Sequence, residues 1–195
     1  MDAFSYFPTI VYRDERPDLV QKVLSTCVQY LDQVHDQSVF RQSEYLGNHP
    51  MLQELVNYLL SSTIDLLKSQ GYAVHRYDFY LSGLWAQEVN RGPGTNVHVH
   101  KNSQMCGWFF LETPQNGAYP IYHDTRMNKS MIELDFVQEK EITVATNTIH
   151  FNNMVPGTAM FSNSWMQHQL TGSNADSPTR CIHFIVSHKE RLCNM

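Results

Sequence analysis

His98 and His100 stand two residues apart in Asn96-Val-His-Val-His-Lys101. In an extended strand, side chains two residues apart project to the same face, so both imidazoles can reach one metal ion. A third histidine, His168, follows seventy residues after His98, between the apolar run Thr158-Ala-Met-Phe161 and a run that opens at Arg180. Neutral imidazole binds iron, zinc, copper or nickel, so this set offers metal chemistry without naming the ion. Arg180 begins Arg-Cys-Ile-His-Phe-Ile-Val186. Inside a sheet core a guanidinium is costly unless it meets an anion, and it can grip a carboxylate through two parallel hydrogen bonds. At the exposed start of a strand it is a solvated cation instead.

Asp124 and Arg126, in Tyr122-His-Asp-Thr-Arg126, form a second polar pair at a strand end. An ion pair between them is one reading. In the other they reach the same cavity, Asp124 as an anionic ligand or outer contact of the metal and Arg126 as a further binding residue. His123, His150 and His183 read as structural.

These groups need a scaffold, and the chain changes texture along its length to provide one. Leu19, Val20, Val23, Leu24, Cys27, Val28 and Leu31 recur on one helical face, which predicts a helix from Pro17 to about His35 with Pro17 in its first turn. Leu52, Leu55, Val56, Leu59, Ile64 and Leu67 predict a second from Pro50 to about Gln70, with Gly71 as the stop. From Tyr72 onward the chain is rich in aromatic and β-branched runs separated by Gly, Pro and Asn clusters. Strands are expected at 77–89, 104–112, 119–123, 141–144, 158–162 and 180–187. Helices first and strands afterwards give a mostly β, α+β chain in which the helices buttress one sheet. The expected organisation is a single domain over 1–195, with a helical buttress at 1–75 and a β core at 76–195.

Composition narrows the functional classes. The chain has 195 residues, a net charge of −5, 42% hydrophobic and 17% charged residues, which suits a globular protein and offers no general attraction to nucleic acid. No apolar run is long enough for a bilayer span. The start Met-Asp-Ala-Phe-Ser-Tyr6 is unlike a secretory signal, and Cys27, Cys106, Cys181 and Cys193 are widely spaced. Free thiols in a cytoplasmic protein are the expectation.

At His98-Val-His100, Cys106-Gly-Trp-Phe-Phe110, Gly117-Ala-Tyr-Pro-Ile-Tyr-His-Asp-Thr-Arg126, Pro156-Gly-Thr-Ala-Met-Phe-Ser-Asn-Ser-Trp-Met-Gln-His168 and Arg180-Cys-Ile-His-Phe184, the chain resembles the Fe(II)- and 2-oxoglutarate-dependent oxygenases. It is most similar to a family of them common in marine bacteria, cyanobacteria and their phages. The similarity runs from about Leu84 to Val186 and is most specific over Phe161 to His168. It implies a double-stranded β-helix (jelly-roll) with iron at one open end, His98 and His168 as ligands, and His100 where the family more widely carries the carboxylate of H-x-D. It further implies that Arg180 binds the distal carboxylate of 2-oxoglutarate. Phe110 and Ile182 stand where relatives carry a tyrosine and a serine. The implied activity is hydroxylation of a small molecule or a protein side chain, with dioxygen consumed and succinate and CO₂ released. A jelly-roll binding module without catalysis, and a three-histidine dioxygenase that takes no 2-oxoglutarate, are the competing readings.

Overall fold

The structure is a computed structural model that describes residues 8–35, 38–126, 143 and 146–191. Nine strands and two helices follow the order β1 (Val11–Glu15), α1 (Pro17–Asp32), β2 (Phe40–Gln42), α2 (Gln53–Ser69), β3 (Tyr77–Val89), β4 (Met105–Glu112), β5 (Pro120–His123), β6 (Thr148–His150), β7 (Thr158–Asn163), β8 (His168–Leu170) and β9 (Thr179–Glu190) among the described residues. Strands pair antiparallel in a six-stranded sheet, β1-β7-β4-β9-β3-β2, and a three-stranded sheet, β6-β5-β8. An isolated bridge between His98 and His168 adds the 96–100 segment to the free edge of β8. The larger sheet therefore faces a smaller one, and strands that are neighbours in space lie far apart in sequence. This is the double-stranded β-helix expected from the sequence.

Both helices form where their apolar faces recur. Pro17 occupies the first position of α1, where its missing N–H costs nothing. At the far end of α2, Gly71 has φ +93°. Its N–H donates to the Lys68 carbonyl while the Tyr72 N–H donates to Leu67, closing the helix with the paired bonds of a Schellman motif. Leu19, Val23, Leu31, Leu55 and Leu59 then bury against Leu84, Phe109, Phe161, Ile182 and Phe184 on the outer face of the large sheet. The inner face carries a second cluster, with Val89, Trp108, Phe110, Tyr122, Met160, Leu170 and Cys181 filling the space between the sheets.

β4 and β9 lie inside the large sheet and are covered on both faces, so they read as continuous apolar runs and not as alternation. On β9 the even residues Ile182, Phe184 and Val186 face the helices, while Cys181 and His183 face the small sheet. β7 is entered by a type II turn in which Pro156 and Gly157 (φ +94°) occupy the corners and the Thr158 N–H donates to Val155. Among the described residues no helix is long and apolar enough to cross a membrane. Cys27, Cys106 and Cys181 are free and buried, as expected; Cys193 lies outside the described residues. Most of the expected 141–144 strand also lies outside them.

Candidate metal centre

The 96–100 segment and β8 bring the histidines together. The His98 N–H donates to the His168 carbonyl (3.0 Å) and the His168 N–H donates back to His98 (3.1 Å), so the two residues face each other across the sheet edge. His100 follows two residues on, anchored by its N–H to the Ser164 carbonyl (3.0 Å). The three ligand atoms lie within 4.8 Å of one another. This is the metal-competent cluster found among the described residues.

Local hydrogen bonds set the tautomers. His168 Nδ1 lies 2.7 Å from the Met166 carbonyl and His98 Nδ1 lies 2.9 Å from that of Asn96. A carbonyl only accepts, so Nδ1–H donates in both cases and Nε2 keeps its lone pair. This backbone support is what orients a metal-ligating histidine. His168 Nε2 and His100 Nε2 are 3.2 Å apart. Two imidazoles bound at about 2.1 Å and at right angles to one ion would place their nitrogens about 3.0 Å apart.

Burial keeps the His168 and His100 rings neutral. Desolvation pushes His168 down to about 3, opposed by its bond to Met166 and assisted by the neighbouring His98 and His100. Desolvation, with repulsion from His98, pushes His100 down to about 4. In these two a metal therefore meets ligands that need lose no proton near neutrality. Trp108 stands against His168 with ring centroids 5.2 Å apart. Cys106 Sγ lies 4.0 Å from His168 Nε2; burial raises this thiol to about 12, so it stays protonated.

Beside the histidines opens a cavity of about 390 Å³, walled by Phe40, Trp85, Trp108, Leu170 and Ile185 with the polar groups Gln42, Gln87, Thr95, Asn96 and His183. Gln87 Nε2 donates to Gln42 Oε1 (2.7 Å), tying β3 to β2 at its rim. Among the described residues no Lys, Arg, Asp or Glu lines it.

The remaining expected site residues lie elsewhere. Arg180 does not line the cavity; its Nε donates to Glu88 (2.8 Å) and its Nη1 to Glu112. Glu88 is 2% exposed and also receives Arg41 (2.9 Å from Nε). Burial works to raise the Glu88 carboxyl, and the hydrogen bonds from Arg41, Arg180 and Asn90 outweigh it, holding the group below its usual range. Arg180 shares the helix-facing side of β9 with Ile182 and Phe184, so the anion it meets comes from the protein itself. Asp124 and Arg126 pair with each other (2.6 Å), and neither belongs to the cavity lining or to the histidine cluster. His168 opens β8. His183 is the residue that sequence reasoning set aside. It lies in the cavity wall, its ring 5.0 Å from that of His100, and its place two residues beyond Cys181 on one strand was the available signal.

Comparison with known proteins agrees with this architecture. Comparison with curated proteins gives no match. The carbocyclase SnoK from nogalamycin biosynthesis, described as non-heme and alpha ketoglutarate dependent, superposes with a TM-score of 0.64 at 11% identity, covering 94% of this chain and 82% of its own. HygX from Streptomyces hygroscopicus, solved with nickel and 2-oxoglutarate bound, gives 0.62 at 11% identity over 92% and 83%. A Pseudomonas putida prolyl-4-hydroxylase gives 0.60 at 8% identity over 94% of both chains. At such identities the likeness concerns the fold alone. In sequence, residues 83–184, more than half of the chain, match the model of the family described as "Putative 2OG-Fe(II) oxygenase". With the same residues building the roll and carrying its three histidines, the chain belongs to the 2OG-Fe(II) oxygenase family.

Proposed function

We propose that this chain is an Fe(II)- and 2-oxoglutarate-dependent hydroxylase acting on a small molecule or a protein side chain, with His98, His100 and His168 as the metal ligands. The observation that carries the reading is the convergence of three imidazoles, two of them held by backbone carbonyls, with His98 and His100 lining a largely apolar cavity. The donor set fits iron: three imidazole nitrogens beside the cavity would hold the ion. When bound, iron with 2-oxoglutarate and dioxygen supplies oxidative decarboxylation to succinate and CO₂ and insertion of oxygen into a C–H bond. The protein's own share is to hold the rings, exclude water with Trp85, Trp108 and Phe40, and present the substrate. The lining is neutral and aromatic, which favours an uncharged reacting portion. We also read 1–195 as one domain, because helical and strand residues share one core cluster.

Anaerobic addition of Fe(II) and 2-oxoglutarate is expected to produce a weak visible charge-transfer band, which His168→Ala abolishes. Wild-type protein that gives neither the band nor succinate in air sinks the proposal. A three-histidine dioxygenase that takes no 2-oxoglutarate is the second reading, favoured by the engagement of Arg180 with Glu88 and Glu112. Oxygen uptake that is independent of 2-oxoglutarate would select it.

A further inference from the structure

The cavity poses a problem that its own residues answer. A dicarboxylate chelated through its keto-acid end must find a donor for its far carboxylate, and among the described residues no Arg or Lys lines this space. His183 does. It is 4% exposed and its Nε2 is buried with no hydrogen-bond partner; of the buried, unpartnered polar atoms among the described residues, it alone lines the cavity. Such an atom carries a desolvation cost that a ligand can relieve. The ring is held in place by near-parallel stacking on Trp85 (centroids 6.0 Å, 13° between planes) and by Trp108 at 5.5 Å. It stands one ring from the metal ligands, 5.0 Å from His100. Three C–C bonds of about 1.5 Å carry the far carboxylate of 2-oxoglutarate roughly 4 Å past the keto carbon, which is the same scale.

We propose that His183, and not Arg180, receives the distal carboxylate of 2-oxoglutarate, donating a hydrogen bond from Nε2–H to one carboxylate oxygen. This rests on the hydroxylase reading above. A single charge-assisted bond replaces a bidentate ion pair, so the cosubstrate is held by direction more than by charge. The flanking indoles exclude water from that bond and strengthen it.

The test uses two probes under anaerobic conditions with Fe(II)-loaded protein: 2-oxoglutarate, and 2-oxobutyrate, which keeps the keto-acid chelate and lacks the far carboxylate. Binding is read by calorimetry and metal content by elemental analysis. His183→Phe is expected to keep its iron, to weaken 2-oxoglutarate on the order of ten- to a hundredfold, and to leave 2-oxobutyrate unchanged. His183→Gln, which keeps a donor, should retain part of the preference. If the Phe variant does not fold, His183→Met removes the donor at similar volume. Equal weakening of both keto acids, or unchanged 2-oxoglutarate affinity, overturns the inference and leaves the hydroxylase reading standing. Iron-loaded wild type that binds neither keto acid overturns both.

Discussion

At the scale of residues, the proposed metal centre depends on which nitrogen of each ring is free. Carbonyls of Asn96 and Met166 hold the Nδ1 protons of His98 and His168 and leave the Nε2 lone pairs to the ion. His100 is the replaceable member, because it occupies the position where a carboxylate completes the common two-histidine triad. His100→Asp is therefore expected to retain near-stoichiometric iron, since the shorter acid still projects to the face shared with His98. His100→Ala should weaken iron by more than the ten- to hundredfold typical of losing an outer support. Elemental analysis after desalting checks both, and equal iron in the Ala variant and wild type would remove His100 from the ligand set. The pair of histidines and His168 were legible because period-two spacing and chain order survive in any strand model. His183 and Arg180 were not. β9 is apolar on both faces, so alternation could not say which set of residues pointed inward, and a one-residue change of phase exchanges the two sets.

At the scale of elements, the same phase fixes the job of Arg180. It ties β9 to Glu88 on β3 and to Glu112 on β4, while Arg41 on β2 reaches Glu88 from the other side. Removing one partner of a buried ion pair typically costs 3–5 kcal/mol. Arg180→Ala should fall near the lower end, about 3 kcal/mol, because Arg41 still pairs Glu88. It should leave 2-oxoglutarate affinity within about twofold of wild type. Denaturant melts and calorimetry test the two halves separately, and a large loss of 2-oxoglutarate binding at unchanged stability would return Arg180 to the cavity. The carboxylate adds a pH dependence of known sign. Glu88 has a folded value below its ordinary 4.5, so its contribution is present above about pH 4.5 and is lost as pH falls through the folded value. The gap in Tm between wild type and Glu88→Gln should accordingly narrow on acidification from pH 7 toward pH 4, and a constant gap would contradict the assignment. Long elements such as α1, α2 and β3, with 16, 17 and 13 residues, had room to announce themselves in the sequence. β2, β6 and β8 have three residues each, too few to show a period, and exist because the neighbouring strands supply their hydrogen bonds.

At the scale of the whole molecule, the proposed metal centre would also be a clasp. His98 and His100 belong to a segment joined to β8 by the His98–His168 bridge, and that segment connects β3 to β4 across the open end of the roll. An ion held by all three histidines therefore closes one end of the two-sheet structure, and its binding energy adds to folding because the unfolded chain holds no such site. At a hundred times its Kd a metal contributes about 2.7 kcal/mol. For a chain of this size each kcal/mol moves Tm by about 2–4 °C, so Ni(II), an air-stable surrogate, should raise the midpoint by roughly 5–10 °C. His168→Ala should lose that rise, whereas Arg180→Ala should keep it from a lower starting point. The comparison separates a clasp from general stiffening: a metal that stabilised by binding surface carboxylates would raise all three proteins alike, and that outcome would detach the histidines from the stability of the roll.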